Sequence, residues 1–245
     1  MPRKFDKRLI LSSVLILFAI PLTIAFGVVF LHDRKYYFIS VAILIDTMLP
    51  FIMVFEHRKP KVREIILICS LSAIAVIGRM AFFMLPQFKP VVAIVIISAI
   101  CLGPESGFLV GALSGFVSNF FFGQGPWTPW QMFSFGIIGF LAGLLYKKGI
   151  LKLNKAAICI FGGLSTFLIY GGLMNFDSVL MFSSSFNRDI LIATYLSGIP
   201  FDLVHAASTV LFLFFIEKPM IEKISRIKVK YGLIDENELL EGKLI

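Results

Sequence analysis

Charged residues are scarce in this chain: they make up 16% of its 245 residues, whereas a soluble domain has about 25%. Hydrophobic residues make up 58% of the sequence, and the mean hydropathy is +0.91. Apart from the C-terminal end, no polar stretch is longer than roughly twenty residues, which leaves no room for a separate soluble domain. The composition excludes an ordinary cytosolic enzyme and predicts a single all-α integral membrane domain.

Cysteine is also rare, and the cysteines do not form a known pattern. Cys69, Cys101 and Cys159 each lie inside an apolar run, without a C-x-x-C pair or a nearby histidine cluster. A disulfide framework or a metal site is therefore not predicted. The G-x-x-x-x-G-K-[ST], H-E-x-x-H and G-x-S-x-G motifs are absent, so the chain has no nucleotide-binding loop and no hydrolase signature. We expect neither enzymatic activity nor a cofactor.

Apolar runs are abundant, and eight of them are candidates for helices that cross a membrane. A spanning helix needs about 20 mostly apolar residues, because its backbone amides must bond within the segment. The fourth and fifth candidates are short, so the turn between them could instead close a re-entrant hairpin. The eight segments are Leu9 to Leu31, Tyr36 to Phe55, Ile65 to Leu85, Val91 to Gly103, Phe108 to Phe122, Pro129 to Tyr146, Ala156 to Phe176, and Ile190 to Ile216.

The first apolar run invites comparison with a secretory signal, because basic residues precede it and small residues lie near its end. Its length exceeds the roughly 7–15 apolar residues of a signal peptide. We therefore expect an uncleaved anchor helix.

Basic residues predict the orientation of the helices. The chain has 23 Lys and Arg against 15 Asp and Glu, a formal net charge of +8. Basic clusters precede the first predicted span and follow the second, sixth and eighth, whereas the alternate loops carry few. By the positive-inside rule, both termini are cytoplasmic and the loops near Lys89, Trp127 and Asn187 face outward from the cell membrane. The positive charge is thus explained without a nucleic-acid partner.

Glycine recurs at helical spacing in two neighbouring spans. Residues three or four apart share one helical face, and small residues there allow two backbones to approach closely. The pattern predicts tight packing between these helices within the chain. The glycines are Gly107, Gly111 and Gly115 in one span and Gly136, Gly139 and Gly143 in the next.

Four ionisable residues lie inside predicted spans, namely Asp46, Arg79, Asp202 and His205. Such residues are costly in lipid and are candidates for function by default. Asp202 and His205 are three positions apart, so they could pair with each other or with Arg79. A buried structural ion pair is the alternative.

The densest polar and aromatic cluster is N-F-F-F-G-Q-G-P-W-T-P-W-Q, from Asn119 to Gln131. Trp127 and Trp130 could stack on a ligand, and Thr128 adds a hydrogen-bonding group. The alternative is an interfacial aromatic belt without a ligand. Because both tryptophans of the chain fall in one outward loop, the pattern favours a binding site.

Four segments between about residues 65 and 146 together resemble the S components of energy-coupling factor (ECF) vitamin transporters. These segments are C-S-L-S-A-I-A-V-I-G-R from Cys69 to Arg79, F-K-P-V at Phe88 to Val91, L-G-P-E-S-G-F from Leu102 to Phe108, and G-Q-G-P-W-T-P-W-Q-M ending at Met132. The resemblance implies a six-helix S-component-like core, here residues 61–220. Two extra transmembrane helices in residues 1–60 precede it. A cytoplasmic tail, residues 221–245, follows it; from Glu217 onward this end could be helical or simply solvated.

In this family the S component binds a vitamin or precursor on the outer side and delivers it through a transmembrane scaffold subunit and two ATPase subunits. The tryptophan-rich run is most similar to cobalamin-type members, so cobalamin or a related corrinoid is the first expectation and a smaller vitamin precursor the competitor. Cys69 and Ala73 match the small residues that contact the scaffold. The resemblance implies that the pocket is lined by Arg79, Lys89, Asn119, Trp127, Thr128, Trp130, Gln131, Asn175 and Asp202.

Two other functions remain open from the sequence. One is a self-sufficient secondary transporter that uses Arg79, Asp202 and His205 for proton coupling. The other is an intramembrane enzyme or scaffold protein. The outward polar cluster and the missing nucleotide motif favour the transporter subunit over both.

Overall fold

The computed structural model describes residues 13–31, 42, 62–182 and 188–233. Apart from residue 42, the second predicted span, with Asp46, lies outside these ranges, as does the loop residue Asn187. No β-strand occurs within them. The helices are α1 (Ile20–Leu31, after a π-helical turn at Leu15–Ala19), α2 (Val62–Ala81), α3 (Val91–Leu102), α4 (Pro104–Phe122), α5 (Trp127–Lys147), α6 (Lys155–Ser165), α7 (Gly172–Phe182) and α8 (Arg188–Lys230). A π-helical turn, Thr166–Gly171, joins α6 to α7.

Four helical stretches in the described part of the chain are long and apolar enough to cross a membrane: α2, α5, the continuous segment Lys155–Met181 and α8. The prediction of an all-α membrane protein is confirmed. Helix α3 has 12 residues and a length of about 18 Å, shorter than the roughly 30 Å hydrocarbon core of a bilayer.

Helix α3 forms the centre of the bundle. Its residues from Val91 to Cys101 are buried, and it packs against α2, α4, α5 and α8. This explains its uniformly apolar sequence, since a helix surrounded on all sides needs no polar face. The first residue of α3 follows the loop 82–90, so the start of this central helix lies next to the end of α2.

Glycines bring α4 and α5 into backbone contact. A Cβ atom on Gly111 would lie 2.5 Å from the carbonyl of Phe135, and one on Gly139 would lie 2.4 Å from the carbonyl oxygen of Gly107. Gly143 packs in the same way against Pro104. The predicted close packing of these two helices is confirmed, and it accounts for the burial of most residues of α5.

The N-terminal helical segment packs on the outside of this pair. Ile16 and Ile20 are almost fully buried against Phe108, Phe140 and their neighbours on α4 and α5. At least one of the segments that precede the core therefore shares its apolar packing.

Helix α8 is longer than the predicted span, which ended at Ile216. It runs to Lys230, so residues 221–230, which sequence analysis assigned to the tail, continue the helix. The buried Lys228 ammonium donates to the carbonyl oxygen of Cys101 at 2.9 Å, and Arg63 donates to that of Tyr231 at 3.0 Å. The sequence left open whether the segment after Glu217 is helical or solvated. Up to Lys230 it is a helix, and it packs on the ends of α2 and α3.

The glycine contact between α4 and α5 gives a direct test. Gly111→Ala should destabilise the fold by about 1–3 kcal/mol, because the new methyl group would overlap a backbone carbonyl that cannot rotate away. Thermal unfolding of the purified protein in detergent measures the change. Gly172→Ala is the matched control, since nothing lies within 4 Å of its Cβ position. Equal stability of the two variants would contradict the packing argument.

Candidate ligand-binding site

A cavity of about 290 Å³ lies where α2 ends and α3 begins. Side chains from the loop 82–90, α5, the π-helical turn and α8 complete its wall. The part of the loop that faces the cavity is half-buried or exposed, which leaves this side accessible to solvent. The lining residues are Arg79, Pro86, Gln87, Lys89, Val91, Gln131, Phe135, Tyr170, Phe201 and His205.

Arg79 joins three helices at this end of the bundle. Its guanidinium donates to Asn119 Oδ1 at 2.9 Å and to Gln131 Oε1 at 3.2 Å, and it also contacts the Ser118 hydroxyl closely. The guanidinium carbon lies 4.6 Å from the centre of the Phe122 ring, a cation–π contact. A charge that would be costly in an apolar bundle is thus held by neutral acceptors from α4 and α5.

Aromatic rings form one wall of the cavity. Gln131 Nε2 donates to the Tyr170 hydroxyl at 2.8 Å, and the Tyr170 ring stacks on Phe135 with centroids 4.8 Å apart. Tyr170 lies in the π-helical turn Thr166–Gly171. Such single π-helical turns occur frequently at functional sites, because the extra residue redirects side chains.

His205 and Asp202 do not pair with each other, contrary to one expectation from their spacing. Asp202 accepts from Asn175 Nδ2 at 2.7 Å, across the contact between α7 and α8. The imidazole of His205 lies edge-on to Tyr170, 4.6 Å between centroids, and is 2% exposed. Neither of its nitrogens has a hydrogen-bond partner among the described residues.

The loop 82–90 closes the cavity and is tied to α8. The backbone N–H of Lys89 donates to the hydroxyl of Ser208 at 3.3 Å, and that hydroxyl lies 2.8 Å from the carbonyl oxygen of His205. Gln87 has a φ of 56°, a left-handed conformation that is uncommon outside glycine. Burial and the nearby Arg79 guanidinium both lower the pKa of Lys89.

Asn119 and Thr128 are buried beneath the cavity and support it. Asn119 Nδ2 donates to the Thr128 hydroxyl at 3.1 Å; that hydroxyl also accepts from the N–H of Gly125 and donates to Gln124 Oε1 at 2.9 Å. This network holds the turn that leads into α5. It also positions Asn119, whose oxygen receives the hydrogen bond of Arg79.

Neither tryptophan is among the cavity-lining residues. The Trp127 ring covers Gly125, and Trp130 packs edge-on to Phe176 at 5.9 Å. Of the nine pocket residues expected from the sequence, the structure brings Arg79, Lys89 and Gln131 to the cavity. It places Asn119 and Thr128 behind them, and it pairs Asn175 with Asp202 at the contact of α7 with α8.

Several lining residues were missed as pocket residues by sequence reasoning. Phe135, Tyr170 and Phe201 sit in apolar runs, where aromatic residues carry no distinguishing signal. For Phe135 a signal existed, since Thr128, Gln131 and Phe135 share one face of a helix that begins at Trp127. Gln87 is the uncharged polar residue of the short loop between α2 and α3, which also carries Lys89.

Cys69 and Ala73 lie away from the cavity, on the exposed side of α2. They are four positions apart and share a face with Ile66, Ile77 and Met80, which are also exposed. The opposite face of α2, with Leu67, Leu71 and Ala75 among others, is buried in the bundle.

Within the described ranges, no group of three His, Cys, Asp or Glu side chains could hold a metal ion.

Comparison with known proteins places residues 59–220 in one family. A family model described as "ECF-type riboflavin transporter, S component" matches these residues. UPF0397 proteins from two strains of Aliivibrio fischeri, MJ11 and ATCC 700601 / ES114, are each 30% identical over 135 residues, which cover 53% of this chain and 71% of each relative. A UPF0397 protein of Vibrio atlanticus is 26% identical over 138 residues, or 51% of this chain and 75% of the relative. No solved structure matches the chain.

The network beneath the cavity predicts the effect of one substitution. Thr128→Val should destabilise the protein by about 1–3 kcal/mol, because buried partners of the hydroxyl lose their hydrogen bonds. Thermal unfolding in detergent reports the loss. Thr128→Ser keeps the hydroxyl and should retain most of the stability; if it were as unstable as the valine variant, the methyl packing and not the network would explain the effect.

Proposed function

Since the chain belongs to the ECF-type S components, the substrate-binding membrane subunits of vitamin transporters, we propose that it captures a compact vitamin in the cavity beside Arg79. The observation that carries this proposal is the convergence of polar and aromatic side chains from separate elements on one cavity. The cavity lies within the residues that the family model matches. A largely apolar pocket with a few placed polar groups is the usual form of a small-molecule site.

The size of the cavity favours a small ligand over a corrinoid. At about 290 Å³ it is at the lower end of the roughly 300–1,000 Å³ typical of ligand pockets. A corrinoid, with its macrocycle and amide side chains, is much larger than this space. The two tryptophans that suggested cobalamin do not line the cavity: Trp127 covers Gly125, and Trp130 packs against Phe176. Among the two ligands considered, we therefore favour the smaller vitamin, and riboflavin is the first candidate from the family description.

We propose that three of the expected pocket residues contact the ligand: Arg79, Lys89 and Gln131. Arg79 and Gln131 offer hydrogen-bonding groups that are already oriented by their mutual contact at 3.2 Å. A site whose groups are positioned before binding loses less entropy when the ligand arrives. Phe135 and Tyr170, stacked on each other, supply a flat apolar wall.

Partner subunits complete the proposed cycle. The sequence carries no P-loop motif, and a scaffold subunit with two ATPase subunits is the arrangement that the family implies. We propose that the exposed face of α2 around Cys69 and Ala73 contacts the scaffold. With both termini cytoplasmic, the cavity faces outward, where it meets external substrate.

The self-sufficient carrier receives less support. Its proposed proton relay used Arg79, Asp202 and His205, but Asp202 bonds to Asn175, and His205 has no hydrogen bond to a described residue. Proton transfer along side chains requires a continuous hydrogen-bonded path, which these three do not form.

Binding and uptake can be tested separately. Purified protein should bind a compact vitamin such as riboflavin and should not bind cyanocobalamin. Quenching of flavin fluorescence measures riboflavin binding, and calorimetry measures cyanocobalamin binding. In liposomes, the chain alone should bind without accumulating substrate, whereas co-reconstitution with a scaffold and its ATPases should give ATP-dependent uptake.

Two results would contradict parts of this proposal. Tight cyanocobalamin binding would restore the corrinoid assignment. Accumulation by the chain alone under a proton gradient would favour the carrier.

Two substitutions test the location of the site. Gln131→Leu should weaken vitamin binding by about 1–3 kcal/mol, while Trp127→Ala should leave the affinity unchanged.

The proposed scaffold contact on the exposed face of α2 can be tested separately. Ala73→Trp should block co-purification with the scaffold subunit and abolish ATP-dependent uptake, because a bulky side chain prevents close helix approach. Ligand binding to the isolated protein should be unaffected. Ile160→Trp, on the exposed side of α6, is the control. If both variants assemble normally, the exposed face of α2 is not the contact.

A further inference from the structure

Two cationic side chains line the cavity. Arg79 and Lys89 both line it, and none of the other described residues that line it is acidic. The hydrogen bonds of Arg79 to described residues go to neutral side chains, and Lys89 Nζ donates only weakly, at 3.4 Å, to the carbonyl oxygen of Phe82. Both cations lie over the ring of Phe122, at 4.6 and 5.1 Å from its centre.

Two like charges held close together in a partly buried site repel each other and are each poorly hydrated. Proteins usually compensate such charges with a carboxylate or with a bound anion. Asp202, the acidic side chain of α8 nearest in sequence to the cavity-lining His205, is already bonded to Asn175. Among the residues that the structure describes, the cavity wall therefore supplies no carboxylate beside Arg79 and Lys89.

The wall of the same cavity also carries an unsatisfied hydrogen-bonding group, the imidazole of His205. His205 is 2% exposed, lines the cavity, and has no hydrogen-bond partner among the described residues for either nitrogen. Buried polar groups are hydrogen-bonded in the great majority of cases, and a polar group in the cavity that His205 lines would supply such a partner. The adjoining Tyr170 ring, edge-on to His205 and stacked on Phe135, offers a flat surface next to these nitrogens.

We infer that the ligand is a flat heteroaromatic molecule that carries a negatively charged group, a carboxylate or a phosphate. The ring lies against Tyr170 with its edge bonded to His205, and the anionic group lies between Arg79 and Lys89. Charge-assisted hydrogen bonds are about twice as strong as neutral ones, so the anion supplies selectivity as well as affinity. This inference rests on the proposed function and names the substrate class of the same cavity.

Two matched pairs of probe molecules test whether the cavity prefers a negatively charged ligand. Flavin mononucleotide differs from riboflavin by a phosphate, and nicotinate differs from nicotinamide by a carboxylate. In at least one pair, the anionic member should bind roughly tenfold more tightly than the neutral one. The two pairs distinguish a phosphate from a carboxylate. Raising the NaCl concentration should reduce the preference, because salt screens the partly exposed Lys89.

Two substitutions test the roles of Lys89 and His205 in binding. Lys89→Gln should remove most of the preference for the anion, whereas Lys152→Gln, an exposed lysine outside the cavity, should retain it. His205→Phe keeps a ring of similar shape without the nitrogens. It should weaken binding of the preferred probe by roughly fivefold to tenfold while the ligand-free protein remains at least as stable as the wild type.

The outcomes separate this inference from the proposed function. Equal or weaker binding of the anionic member in both pairs, with riboflavin or nicotinamide still bound, would overturn the inference and leave the proposed function intact. Unchanged affinity in His205→Phe would overturn the role of the imidazole. Binding of none of the four probes would overturn the inference, and if other compact vitamins also fail to bind, the proposed function falls with it.

Discussion

The hydrogen bonds of the Arg79 guanidinium to Ser118, Asn119 and Gln131 are the interaction on which the site depends. A guanidinium is costly inside an apolar bundle, so it is retained only where acceptors surround it. Here the acceptors come from α4 and α5, which fixes the end of α2 against both helices. The loop 82–90 leaves α2 at that point, and the position of the cavity follows from it.

Close packing of α4 and α5 makes this arrangement possible. Their glycines allow backbone contact, so the acceptors Ser118 and Asn119 on α4 come within reach of the same guanidinium as Gln131 on α5. A bulkier interface would separate these acceptors. The closely packed helices α4 and α5 hold the polar groups of the cavity in place. The exposed loop 82–90 lies on the other side of the cavity, where a ligand can enter.

Part of the site was predictable from the sequence, because charged and polar residues stand out within apolar segments. Arg79 and Gln131 stood out in this way, Lys89 was expected from the family resemblance, and the structure brings all three to the cavity. The tryptophans were conspicuous for the same reason, but adjacent residues on a helix point about 100° apart, so the face of α5 that carries Gln131 turns Trp130 toward Phe176. The same rotation on α8 turns Asp202 toward Asn175 while its neighbour Phe201 lines the cavity. Neither outcome could be read from spacing without knowing which helix lies on which side.

By itself, the sequence determined the class of protein, because burying backbone amides in lipid requires long apolar helices, and their hydropathy is visible residue by residue. It also determined the tight packing of α4 and α5, since glycine spacing depends only on helical geometry. Only the tertiary structure decided which aromatic rings form the cavity wall. With 27 phenylalanines in the chain, no local signal distinguishes Phe201 from those that face lipid or the core. Tyr170 and His205 meet only because the π-helical turn and α8, separated in sequence, fold against each other, and contacts of that kind depend on the whole bundle and not on local sequence.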